Sequence, residues 1–364
     1  MYIIFFGIIL RVIFAYINSF YGPFPGLEFD AIKFHEVAVL VSEDSSNMDF
    51  RTGWLYSTVL GLIYRYTYDT IFFGSLISIL GWLISGILIV KIIRMLKISV
   101  FSQKLILILY SLWPSALIYT SVTLREPFQL LLFNLAIFTF LKIFLENKFK
   151  YKIIFFASIL LLPLLHKMFV IWSVSIFAIY LLFLSMSVGR KNFKYFIIFS
   201  VFIATLLYFN FSTLESYFYS KLPLNELSIY TIMSTHINNL TISRASYLTE
   251  ELFLNNFNDL ISYTYQATYN YMLQPTPNNQ ETFFDLLLFV ENIFRVILIL
   301  FIIINIFNIQ HRFYRFNIVF ILLLFTAEIT WALGTNNWGT AVRHHVPALG
   351  LLLFLSFFNS KQLK

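Results

Sequence analysis

The chain has 364 residues, of which 59% are hydrophobic, 20% aromatic and only 12% charged. A soluble domain carries about 25% charged residues, so the composition excludes one and predicts an all-α, polytopic integral membrane protein. The net charge of +7 sits mostly in short loops between apolar runs, which fits membrane topology and no nucleic-acid partner; with no cysteine, disulfides, thiolate metal sites and a cysteine nucleophile are excluded.

Apolar runs of roughly 16–25 residues match a hydrocarbon core ~30 Å thick. Residues 1–20 form the first span, and with no small-x-small cleavage site before Tyr21 they read as retained, not as a signal peptide. Residues 21–70 follow as a wet loop with two interfacial segments. In the first, Glu28–Glu43, the residues Ala31, Phe34, Ala38 and Val41 make an apolar stripe, while Asp30, Lys33 and Glu36 fall on another side. Such a helix lies at a membrane surface with its acids in water. Residues 54–68 form the second.

Spans are then expected at 71–90, at 105–120 with an interruption at Pro114, and at 128–145 after the polar turn 121–127. Residues 153–165 and 168–186 make a hairpin tipped by His166 and Lys167. A span at 195–208 leads into the one long polar insertion, 210–283. Spans at 284–307, 316–333 and 346–358 close the chain, the last two joined by the loop 334–345.

The distribution of Lys and Arg decides the status of 54–68. If that segment lies in the interface, five inward segments carry 14 of the 25 Lys and Arg and a single acid, Glu146. The outward loops, together with Asp285 at the outer start of the span that follows, then hold 15 of the 18 acids and eight Lys and Arg. This asymmetry predicts about ten spans, both termini inside, and a single membrane-embedded domain over 1–364 with outward loops at 21–70 and 210–283.

Every dense polar cluster falls on the outward side. Asp30 reads as a general base or a metal-binding carboxylate, and equally well as the N-cap of its helix. His35 and Glu36 are second partners or a solvated face. Arg125 and Glu126, followed by Pro127 at a helix's first turn, read as a membrane anchor and ion pair or as a fork for phosphate oxygens. Lys167 at the hairpin tip is a phosphate contact or a polar turn residue. Arg343, His344 and His345 form the densest cationic group, suited to a diphosphate, with the histidines as proton carriers. The adjacent histidines are a poor metal site, because neighbours on a helix point apart and no third ligand is spaced to match. Arg244, in a loop rich in Tyr and Asn, suits sugar recognition or a solvated cap.

With Phe29-Asp30-Ala31, then Phe34-His35-Glu36-Val37-Ala38 after the first span, the chain resembles the C-type membrane glycosyltransferases, which use polyprenyl-phosphate-linked sugars. Its size, its large outward loop with Arg244, and Arg343 near the last span resemble more closely the bacterial O-antigen polymerases. The resemblance implies an enzyme of the bacterial cytoplasmic membrane that joins polyprenyl-diphosphate-linked oligosaccharides for O-antigen or exopolysaccharide. Catalytic roles then fall on Asp30, Glu36 and His344, and substrate binding on Arg125, Lys167, Arg244, Arg343 and His345. No cofactor is expected, although a divalent cation beside Asp30 would serve in place of a base. Expected partners are the lipid-linked glycan, membrane lipid, chain-length regulator and flippase proteins. The alternative is a transporter or flippase for a lipid-linked glycan; it would need charges along a central pathway and related halves, and neither is evident.

Overall fold

A computed structural model describes residues 2–24, 28–187, 234, 238, 243–247, 252–306 and 314–358. Among them the architecture is helical, with one isolated bridge between Ser246 and Asn337 and no strand. The helices are α1 (Tyr2–Phe20), α2 (Glu28–Glu43), α3 (Leu55–Tyr64), α4 (Ile71–Met95), α5 (Val100–Leu112), α6 (Pro114–Tyr119) and α7 (Glu126–Glu146). They continue with α8 (Phe149–Leu165), α9 (Phe169–Ser187), α10 (Phe257–Leu273), α11 (Phe283–Ile306), α12 (Tyr314–Leu333), α13 (Trp338–His344) and α14 (Leu349–Phe357).

Among the described residues, four stretches are long and apolar enough to cross a membrane: α1, α4, α7 and Phe283–Asn305. A fifth arises if α13 and α14, bent by 67° at their junction, count as one. The protein is thus a helical, membrane-embedded chain. The expected span 195–208 lies outside the described residues. The expected last span, 346–358, is shorter than the sequence implied. Its nine-residue helix reaches only about 14 Å. Likewise α3, at ten residues or about 15 Å, is half the length a crossing needs.

The chain divides into two compact units. The first comprises Met1–His166, Phe294–Leu324 and Arg343–Lys364, the second Lys167–Ile293 and Phe325–Val342. In the first unit α1 packs on α4 and α5, α7 on α4 and α8, and α2 on α3. The stripe predicted on α2 is the buried one: Ala31, Phe34, Ala38 and Val41 are all in the core. Gly61 permits that close approach, since a Cβ there would stand 2.6 Å from both the Ala38 carbonyl oxygen and Val41 Cβ.

One intramembrane cation organises the broken span. Pro114 cannot donate a backbone hydrogen bond, so the helix stops at Leu112 and restarts as α6, which frees carbonyls at the end of α5. Arg11 of α1, fully buried, answers them: its Nη1 donates to Ser111 O at 2.9 Å and Gly7 O at 3.2 Å, and its Nε to Thr120 Oγ1 at 2.7 Å. Its guanidinium lies 3.6 Å over the Trp82 ring, which stacks on Tyr110. A cation at a helix C-terminus is stabilised by the exposed carbonyls and the macrodipole, so Arg11 needs no carboxylate. We predict that Arg11→Met costs on the order of 3 kcal/mol. A thermal melt of the purified protein in detergent checks this, and an unchanged midpoint would remove Arg11 from the framework.

Candidate functional site

Four polar side chains from three distant stretches of the sequence meet inside the first unit. Asp30 comes from the first turn of α2, Arg125 and Glu126 from the start of α7, and Arg343 from the end of α13. Asp30 does not cap its helix, which begins two residues earlier at Glu28. Its carboxylate instead accepts a hydrogen bond from Arg343 Nη1. On the opposite edge of the same guanidinium, Nε and Nη2 donate to Glu126 Oε1 at 3.2 and 2.7 Å. Arg343 therefore bridges two carboxylates, with the Tyr119 ring 5.7 Å away.

Each member is held by local structure. Pro127 sits in the first turn of α7, as its fixed φ favours, and this places Glu126 at the helix start, where a carboxylate complements the dipole. Asn337 caps α13, its Oδ1 accepting from Gly339 N at 2.7 Å and Thr340 N at 3.2 Å. Arg125 closes the end of α8: its Nη1 donates to Leu165 O at 3.1 Å, while Gly53 N donates to Leu164 O at 2.9 Å. Gly53 has φ of +95°, a left-handed conformation that favours glycine. The Arg125 guanidinium lies 5.4 Å over Phe34, and Lys33 lies 5.3 Å over Trp54.

Two atoms stand out. Among the described residues, Glu126 Oε2 and Arg125 Nε are buried with no hydrogen-bond partner. A buried polar atom left unpaired is costly, and a ligand or water can complete the set. Partial burial alone would push the Asp30 carboxyl up, but Arg343, then Arg125 and Lys33, outweigh it and hold Asp30 below its ordinary range. Burial lowers the Arg125 pKa, because desolvation outweighs the attraction of Glu126 and Asp30.

His344 lies beside Arg343 on α13, and its ring meets that of His166 edge-on with centroids 5.7 Å apart. His345 is buried just past the end of α13. Glu36 is not drawn into the cluster. It is exposed, about 9 Å along α2 from Asp30, and among the described residues it makes no hydrogen bond or ion pair. His35 is half-buried against Tyr64, 3.1 Å from its hydroxyl.

Lys167 and Arg244 belong to the second unit. Lys167 is exposed at the hairpin tip. The Arg244 fork is already taken: Nη1 and Nη2 donate to the two oxygens of Asp285 at 2.9 and 3.3 Å, with Glu281 3.6 Å away. Asp285 also accepts from Trp338 Nε1 at 3.0 Å. Tyr247 N donates to Asn336 O and Trp338 N to Ala245 O, so residues 243–247 clasp the turn before α13. Arg244, which the sequence left as a sugar contact or part of a solvated cap, is paired with Asp285 in this clasp. Among the described residues no group of three or more His, Asp or Glu is placed to hold a metal ion.

Sequence reasoning missed the pairing of Glu126, taken as an anchor paired with its neighbour, with Arg343, and the contact of His166 with His344. The only signal for Glu126 was its place at the start of a span, directly before Pro127. Comparison of the chain with family models, curated proteins and solved structures gives no match.

Proposed function

We propose that the protein is a membrane glycosyltransferase that polymerises, or transfers, polyprenyl-diphosphate-linked oligosaccharide units at the outer face of the bacterial cytoplasmic membrane. The observation that carries this reading is the meeting of Asp30, Arg125, Glu126 and Arg343 in one part-buried cluster just after the first span. Glycosyl transfer to a hydroxyl needs a base on one side and cations for a departing diphosphate on the other. In the proposed reaction Asp30 takes the acceptor's proton as the acceptor oxygen bonds to the anomeric carbon. The bond from that carbon to the diphosphate breaks, and its electron pair leaves on the lipid diphosphate, which Arg125 and Arg343 stabilise. The unpaired Nε of Arg125 and its planar fork suit phosphate oxygens.

The test uses purified protein in nanodiscs with a polyprenyl-diphosphate-linked repeat unit. The expected products are a lengthened glycan and free polyprenyl diphosphate in equal amounts. Movement of the intact lipid-linked glycan across a vesicle, with no new glycosidic bond, would favour the transporter instead.

The reading includes about ten spans with both termini cytoplasmic, which puts residue 44 outside and residue 148 inside. Single cysteines at Asp44 and Lys148, in this cysteine-free chain, are expected to differ towards an impermeant thiol reagent in intact cells. Asp44→Cys should label directly and Lys148→Cys only after permeabilisation. Labelling of both from outside would overturn this topology.

A further inference from the structure

The two carboxylates on Arg343 are held unequally. Glu126 receives two donors on a single oxygen and its side chain is 3% exposed. Asp30 receives one donor, from Nη1, and its side chain is 47% exposed. Opening a buried, doubly bonded pair leaves a desolvated charge behind, whereas water readily replaces an exposed single contact. The inner edge of the guanidinium is therefore fixed and the outer edge exchangeable.

Resting on the reading of this site as a lipid-diphosphate glycosyltransferase, we propose that the donor's diphosphate competes with Asp30 for the Nη1 edge of Arg343, while Glu126 is the positioning residue that holds the other edge throughout. Donor binding then has two effects at once. Arg343 turns its free edge to phosphate oxygens, and Asp30 loses its ion pair and becomes available as a base. The electrostatics act in the same direction: Arg343, Arg125 and Lys33 together suppress the basicity of Asp30, and a diphosphate that neutralises them restores it. The base is thereby withheld until the donor is in place. Nothing in the sequence spacing links Glu126 to Arg343, which lie 217 positions apart.

Competition makes an unusual prediction, because removing the catalytic carboxylate should strengthen ligand binding. The experiment is calorimetric titration of inorganic diphosphate into the purified full-length protein in detergent at fixed ionic strength. Asp30→Asn is expected to bind about tenfold more tightly than the wild type, a gain of about 1.4 kcal/mol. The gain should vanish when Arg343→Lys is added. It should persist with Glu126→Gln, which keeps an acceptor oxygen for Nε and Nη2, and be lost with Glu126→Met, which offers none. Asp44→Asn removes an acid from the same loop that does not touch Arg343, and should bind as the wild type does. Unchanged or weaker binding by Asp30→Asn overturns the proposal. So does an equal gain from Asp44→Asn, which would reduce the effect to net charge. A wild type that binds as described yet transfers no glycan would sink the proposed function and leave the competition standing.

Discussion

Asp30→Asn is expected to leave a folded protein in the membrane at normal levels while polymer length collapses to single repeats, with the rate falling about 10²–10⁴-fold. Asn matches Asp in size, and its amide oxygen still accepts from Arg343, so packing is kept while the base is lost. Because α2 starts at Glu28, no helix cap is removed either. Long polymer at normal levels in this variant would end the assignment of Asp30, and Glu36, though exposed and apart from the cluster, would be tested next. The pH dependence gives a second check. In the free enzyme Arg343, Arg125 and Lys33 depress the Asp30 carboxyl, so the acid limb of kcat/KM should lie below the ordinary carboxylate range. Activity present above that limb is lost as the pH falls through it. The limb of kcat, which reports the donor-bound enzyme, should lie higher if donor binding releases Asp30.

The second large effect is expected at Arg343. Arg343→Lys keeps the charge but not the planar fork, so it can no longer grip Glu126 with two donors and reach Asp30 with a third. A loss of about 10²-fold in kcat/KM follows, equivalent to ~2.7 kcal/mol of transition-state stabilisation. Arg343→Met is expected to go further and destabilise the protein by about 3–5 kcal/mol, because it leaves Glu126 charged and buried without a partner. Adding Glu126→Gln to that variant removes the stranded charge and should restore most of the melting temperature without restoring activity. This separates the structural role of the pair from its chemical one. Wild-type transfer by Arg343→Met would remove Arg343 from the mechanism.

The sequence by itself determined the class of the protein and much of its local structure. Apolar runs long enough for a bilayer had to become helices, because no other single segment satisfies its own backbone in lipid. The α2 stripe of Ala31, Phe34, Ala38 and Val41 was legible because helical periodicity is local, and so was Pro127 in the first turn of α7. Asp30 was marked by its place in the amphipathic segment after the first span, and Arg343 by its clustering with two histidines. Even α13 had a local signal that went unread, the Asn337 cap ahead of Gly339 and Thr340.

Only the tertiary structure decided who pairs with whom. Glu126 sits beside Arg125 in sequence, yet Arg343 takes its carboxylate, because a helix start directs neighbouring side chains differently and α13 arrives from the far end of the chain. Arg11 lies within an apolar run, and only the fold brings it to the carbonyls that the break at Pro114 leaves free. Arg244 had the composition of a binding residue, but its fork is closed by Asp285. Charge type and hydrophobic period are properties of single residues and short windows, which a sequence carries in full. A buried charge's partner is fixed by whichever opposite charge or dipole the packed chain brings within about 3 Å, and one sequence read in order does not contain that distance.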